Sequence, residues 1–536
     1  MHVFRPGQAN PWFELQRRPP RLDLESFKVL RRSIEPSAGY LRILIPTGDA
    51  NYRFCRTTLS AAILGYPTPS AIDWGGESND DKFGDLSWEW GKTHGTLQYL
   101  QNIEESRRDD LVLIVDNEDS WFQLKPEVLI HRYRDIIKQA DKRLRNSLDG
   151  DQEGVKRPEI VFAARKKCYA HKKDHIGCYA APEPPKYVYL PTGEKVERFV
   201  SEDRPRFLSS ILMMGTVKSL LDLHQLAWER WNNNPTLYSS RDDLFASLFG
   251  EQEYQREQLR KSSLSLFQRI FRPANKESFL DHAPPLHLMF AQNLTTADYG
   301  ITLDYTSLLG HIPSKTGDWV RFAEPQSIYS AAASLNLPSA GPPSVEIARD
   351  IHISRPPLWS LAPYSSAYPF EYEDLPRDMP WRNMPLYTNL ATSVTPALIL
   401  NRNEMEEDQL QQQWKKMWFT PYMRKKMQNL AYEPQLPIAT TTNPNLPQRL
   451  REMTRQWRHK GRGRPLGEKQ WWSSVWVSPV DKARRGLGWL VQDNKWKTWA
   501  EECPEDAQVG IIGDDKGKWE DLRVYPPFPD LDKTWW

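Results

Sequence analysis

The stretch LVLIVDNEDSWFQL, residues 111 to 124, holds the side chains best suited to chemistry. Five apolar residues run up to Asp116, and Asp119 follows three positions later. A strand apolar at every position is expected in a parallel sheet covered by helices on both faces. The turn after it then lies at the carboxyl edge of the sheet, where α/β proteins form ligand sites. Two carboxylates there suit a hard divalent cation, which takes oxygen ligands. In sugar transfer from a nucleotide donor, such a cation neutralises the departing diphosphate as a Lewis acid. Glu118 adds charge but is expected to point away. The plainer alternative is that these acids only cap the turn.

Asp242, Asp243 and Glu251 are the next candidates, as catalytic or acceptor-orienting carboxylates. Their alternative is a solvated acidic turn ahead of a helix at Leu244 to Phe249, a place where Asp commonly caps. Arg451 to Lys469 carries seven positive charges against two negative and is followed by Trp471, Trp472 and Trp476. Cations beside aromatics grip single-stranded nucleic acid, and aromatic faces also stack on sugars. A short charge run is more often a solvated loop, so nucleic acid is not the expected partner. Phosphate-loop, dinucleotide, serine-hydrolase and zinc-protease signatures do not occur.

The elements that must position these residues alternate. LRILIP (41–46) reads as a strand, Tyr52 to Leu64 as a helix, Ser70 to Trp74 as an apolar segment, Thr93 to Ile103 as a helix and 111–115 as a strand. Pro126 opens a helix, as Pro does at a first helical position, and Val128, Leu129, Tyr133, Ile136, Ile137, Ala140 and Leu144 share one face. Ile160 to Ala163 is the next strand and Leu220 to Trp231 the next helix. The fold class is therefore α/β, a mostly parallel sheet flanked by helices. Nine prolines in residues 326–380 suggest a wrap or linker, and ten of the 22 Trp fall in 451–536. The expected organisation is an Arg/Pro-rich arm (1–39), an α/β domain (40–325), a Pro-rich wrap (326–380), a segment completing the domain (381–445) and a basic, Trp-rich C-terminal region (446–536).

Composition bounds the partners. Of 536 residues, 71 are Lys or Arg and 69 Asp or Glu, a net charge of +2 that excludes a protein basic throughout and built to coat nucleic acid. No run approaches the ~18 apolar residues of a membrane span. Nor does Met1 to Ser37 carry an apolar run of signal-peptide type, so the sequence as written reads as cytosolic.

The order LRILIP, RTTLSAAILGYPTP, IVDNEDSWFQL with PEVLIHRYRD, IVFAARKKCYA with GCYA, RPRFLSS, GEQEYQR, GITLDY, and MPLYTNLA with WKKMWF resembles a family of fungal glycosyltransferase-like proteins. That family looks related to the sugar-transfer domains of lysyl hydroxylases and procollagen galactosyltransferases. The resemblance spans about residues 40 to 430, with a looser likeness in the Trp-rich tail. It implies a GT-A type, Rossmann-like fold, a nucleotide-sugar donor, a divalent metal such as manganese, a glycan or protein acceptor and a secretory location. Asp116 and Asp119 match the family's Asp-x-x-Asp, Asp242 stands in its Ser-Asp-Gln loop, and Leu303-Asp304-Tyr305 keeps its Leu-Asp-Tyr.

Other positions depart. An acidic residue of the family is Arg165 here, whose guanidinium could itself meet a diphosphate through a bidentate fork. Leu-Asn-Ser-Gly is Leu208-Ser209-Ser210-Ile211, and the histidine of His-x-Asn-Gly is Leu400. Scaffold phrases kept while functional positions change also fit a catalytically inactive relative that binds a glycan or protein. His311 and Asp304 are the candidates to replace the ligand lost at Leu400.

Four cysteines are too few for a disulfide scaffold in a chain of this length. Cys168, His171, His175 and Cys178 offer the ligand types of a zinc site within 11 residues. The family shares only the two cysteines, which implies a loop disulfide in a lumenal protein. Disulfide, free thiols and zinc stay open as readings.

Overall fold

The computed structural model describes residues 39–72, 87–116, 120–148, 152, 154–168, 175–185, 188–189, 195–196, 205–234, 237–263, 298–313, 317–334, 346–358, 375–376, 379–390, 392–401, 406–432, 475–477, 488–491 and 495–519. Strand β1 (Gly39–Pro46) leads through helix α1 (Tyr52–Ile63) to β2 (Ser70–Ile72), and α2 (Ser87–Gln101) leads on to β3 (Leu111–Val115). Next come β4 (Ser120–Phe122), α3 (Pro126–Leu148), β5 (Ile160–Arg165) and the single turn α4 (Ile176–Tyr179). A hairpin, β6 (Val188–Tyr189) and β7 (Lys195–Val196), precedes β8 (Phe207–Thr216), α5 (Val217–Asn233), α6 (Arg241–Ser263) and β9 (Ile301–Asp304). Then follow β10 (Gly310–His311), β11 (Gly317–Val320), α7 (Pro325–Ser334), α8 (Arg349–Ile353), β12 (Leu386–Asn389), β13 (Leu398–Leu400), α9 (Glu407–Trp414) and α10 (Met423–Tyr432). Last are β14 (Val475–Val477), β15 (Gly488–Val491), β16 (Trp496–Thr498), α11 (Trp499–Glu502) and α12 (Glu505–Ile512).

The central sheet runs β16-β15-β2-β1-β3-β8-β5-β9, with β14 beside β1. Parallel pairs join β15–β2, β2–β1, β1–β3, β1–β14 and β5–β9, while β8 is antiparallel to both neighbours and β16 to β15. The chain is therefore α/β, with a large, mostly parallel sheet between helical layers. A smaller sheet, β10-β13-β4, lies beyond the end of β3.

Side-chain alternation divides the sheet between two cores. Leu41, Ile43 and Ile45 of β1, with Leu111, Leu113 and Val115 of β3, face the core that holds Phe54 and Leu59 of α1 and Val128 and Leu129 of α3. Leu44, Val112 and Ile114 face the other, with Trp90 of α2, Leu220 of α5 and Phe245 of α6. All five residues of β3 are buried, as a strand covered on both faces requires. Full burial of each such Leu or Phe contributes about 1.5–3 kcal/mol.

Several elements differ from the sequence expectation. α2 begins at Ser87 rather than Thr93, because Trp90 stacks on Trp231 at 4.1 Å and meets Trp228 edge-on at 4.9 Å, which outweighs the helix-weakening Gly91 and Gly95. Within the Pro-rich stretch, α7 and α8 are helical, α7 opening on Pro325.

The C-terminal strands complete the central sheet. Val475–Val477 pairs with Gly39–Leu41, and Leu490 and Val491 pair with Ser70 and Ala71. Trp489 meets Phe54 edge-on at 4.8 Å, and Trp499 donates its indole N–H to the Cys55 carbonyl at 2.9 Å. Cys55 and Cys503 form a disulfide with Cα atoms 6.0 Å apart. The run 451–469, with Trp471 and Trp472, lies outside the described residues. No helix among the described residues is long and apolar enough to cross a membrane.

Candidate functional site

From β1 the chain crosses to β2 on one side, and from β2 it returns past β1 to β3 on the other. The order 2-1-3 makes the gap between the carboxyl ends of β1 and β3 a topological switch point, where open α/β sheets take their ligands. One wall is the Thr47-Gly48-Asp49 turn after β1, held by Thr47 N–H to the Ile72 carbonyl at 2.8 Å and Thr47 Oγ1 to the Asp49 carbonyl at 2.9 Å. The other is Asp116, continuing β3 with its N–H on the Ile211 carbonyl at 2.9 Å. Asn117, Glu118 and Asp119 lie outside the described residues.

The buried Asp116 carboxylate has a cation on each oxygen. Lys92 Nζ from α2 donates to Oδ1 at 3.0 Å, and the Arg241 guanidinium from the start of α6 donates to Oδ2. Glu89 lies 3.9 Å from Arg241, and burial pushes its carboxyl above the usual range. Local spacing gave no signal for either cation, since Lys92 falls one residue before the expected helix and Arg241 lies 125 positions from Asp116.

Asp242 and Arg165 meet each other. Arg165 NH1 lies 3.2 Å from Asp242 Oδ2, while Ser210 N–H and Oγ both donate to Oδ1 at 2.6 Å. β8, running antiparallel, brings Ser210 to this edge, where it ties Asp242 at the start of α6. Asp243 accepts from Ser239 N–H at 2.9 Å, and its Oδ1 lies 2.7 Å from His175 Nε2. Burial raises the Asp243 carboxyl, but the His175 and Ser239 hydrogen bonds outweigh it and hold it below its ordinary value. His175 Nδ1 accepts the Gly177 N–H at 3.1 Å, which leaves Nε2 to donate toward Asp243. Glu251 pairs with Arg230 at 2.7 Å, about 15 Å along α6 from Arg241 at 1.5 Å per residue.

Asp304, at the carboxyl end of β9, turns its oxygens into its own loop, accepting from Thr306 Oγ1 at 3.0 Å and Leu309 N–H at 2.7 Å. His311 is buried opposite Ile399, and burial with the nearby Lys166 lowers it to about 4. Cys168 and Cys178 are bridged, Cα atoms 5.7 Å apart, so the zinc and free-thiol readings fall away. His171 lies outside the described residues.

Antiparallel pairing of β13 with β4 sets Leu400 opposite Ser120, the residue after Asp119. Leu400, the position that the resemblance gives to a histidine ligand, carries a fully buried isobutyl group. Both Asp116 oxygens are taken by cations, and among the described residues no three His, Cys, Asp or Glu side chains converge on one point. No protein-family model matches this chain, and no curated protein does.

Proposed function

We propose that this chain is a glycosyltransferase-like protein of GT-A type that takes a nucleotide-sugar donor between the carboxyl ends of β1 and β3 and serves a glycan or protein acceptor. The observation that carries this reading is a buried Asp116 ending the central strand at the switch point of a mostly parallel sheet. The order of phrases over about residues 40 to 430 that resembles the glycosyltransferase-like family supports it. A second reading, a catalytically inactive relative that binds without turnover, is favoured by the engagement of both Asp242 and Asp243 in hydrogen bonds to Ser210 and Ser239.

Two measurements separate these readings. Calorimetric titration with UDP and GDP, beside an Asp116→Ala, Asp119→Ala double variant, tests the donor site. Binding lost in the variant supports it, and absence of binding in every condition refutes it. Release of free nucleotide from UDP- and GDP-sugars, with glycan and peptide acceptors present, then distinguishes transfer from binding alone.

A further inference from the structure

All four cysteines are bridged, but the two bridges lie in different surroundings. Cys55 and Cys503 belong to the core, at 0% and 3% exposure. Cys168 and Cys178 are half-buried, and Lys167, next to Cys168, is exposed. A reductant can therefore reach the second bridge while the protein is folded, but not the first. A cation beside a cysteine also favours the thiolate that leaves when a bridge opens.

The half-buried bridge supports an element that cannot stand alone. It ties the end of β5 to α4, a helix of four residues, and helices so short do not persist in water. The other supports of α4 lie on α6. A Cβ on Gly177 would come within 2.6 Å of the Ala246 carbonyl oxygen, and one on Gly250 within 2.5 Å of that of Ile176. Backbones this close have no long side chain to span a gap, so a small displacement of α4 ends both contacts. Three residues before each cysteine, a side chain reaches the first turn of α6: Arg165 meets Asp242 at 3.2 Å, and His175 Nε2 lies 2.7 Å from Asp243 Oδ1 and 3.1 Å from Ser247 Oγ.

We infer that Cys168–Cys178 is a redox-sensitive clasp on the first turn of α6, opened in the folded protein by a dithiol while Cys55–Cys503 stays closed. A thiolate of the dithiol attacks one bridge sulfur, forming a mixed disulfide and expelling the other cysteine as thiolate. The second thiol of the reductant then displaces the first cysteine. The dithiol leaves as a disulfide, and the protein has gained two electrons and two protons as two thiols. With the clasp open, α4 and His175 come away from α6, Asp243 loses the His175 hydrogen bond, and the first turn of α6 loosens.

The test is graded reduction of the full oxidised chain with dithiothreitol, without denaturant, followed by alkylation with iodoacetamide and peptide mapping. Hydrogen exchange is read at residues 176–180 and 241–250, and Trp fluorescence reports that the fold is kept. Cys168 and Cys178 are expected to be alkylated at least about tenfold faster than Cys55 and Cys503. Chains reduced there alone exchange the amides of both segments about fivefold faster or more. Cys168→Ser with Cys178→Ser is expected to exchange like those chains and to ignore further dithiothreitol. Alkylation of all four cysteines together, or of none without denaturant, overturns the clasp. Selective opening with unchanged exchange at 241–250 overturns its hold on α6. If the double variant fails to fold, the native time course decides alone.

Discussion

Replacing Asp116 by Asn keeps the shape of the side chain and removes its charge. In the native chain that charge answers Lys92 and Arg241 together, with all three groups buried. Removing one member of a buried ion pair costs about 3–5 kcal/mol, because the remaining charge is left in a poorly solvating place. The two pairs share one carboxylate, so their losses do not simply add. A carboxylate kept for a metal behaves in the opposite way: with the ion absent, its removal is neutral or relieves repulsion. Urea unfolding in EDTA, followed by the fluorescence of the 22 Trp, measures the difference. Asp116→Asn is expected to lower stability by about 3–5 kcal/mol, and a double variant with Lys92→Met to recover part of that loss. An Asn variant within about 0.5 kcal/mol of the native protein, the range of ordinary surface substitutions, would refute the ion-pair account.

Three further outcomes follow from buried contacts. Cys55→Ser with Cys503→Ser opens a link between residues 448 positions apart, with an expected loss of about 3–5 kcal/mol; peptide mapping without reductant checks the pairing by recovering the 55 and 503 peptides joined. His224 and His311 are both lowered by burial from 6.5 to about 4. The unfolded chain therefore binds more protons between those values, so stability intact above about pH 6.5 falls by about 3 kcal/mol per histidine on the way to about pH 4. Urea midpoints at pH 7, 5.5 and 4 read this loss, and a flat profile from 7 to 5 contradicts it. Gly250→Ala sets a Cβ 2.5 Å from the Ile176 carbonyl, which pushes α4 from α6, costs about 1–3 kcal/mol and loosens His175 from Asp243; a lowered urea midpoint with a changed His175 ring resonance is the expected signature.

How far each part could be read in the sequence depended on whether its cause was local. β3 and the helix from Pro126 were legible because burial on both faces and an amphipathic period each leave a pattern within one segment. The beginning of α2 was not, since it depends on Trp90 packing against Trp228 and Trp231. At the site, Asp116 was legible as the acid ending an apolar strand, while the cations that define its chemistry lie 24 and 125 positions away and meet it only through the folded sheet. Arg165 drew notice as a departure from a motif and Ser210 as part of one, yet nothing in their spacing showed that both would close on Asp242. The link between Cys55 and Cys503 likewise has no local trace.

The last strands to enter the sheet are also the last to be synthesised. As the chain emerges, β1, β2 and β3 can pair, but among the described residues the outer edge of β2 has no strand beside it until Gly488–Val491 arrives. An open, buried-type edge is a template for pairing with other chains, and the Cys55 thiol waits over the same interval for Cys503. Production of this protein is therefore most exposed to aggregation and wrong crosslinking before Gly488–Val491 has joined the sheet. A chain truncated before Val475 would carry that vulnerability permanently.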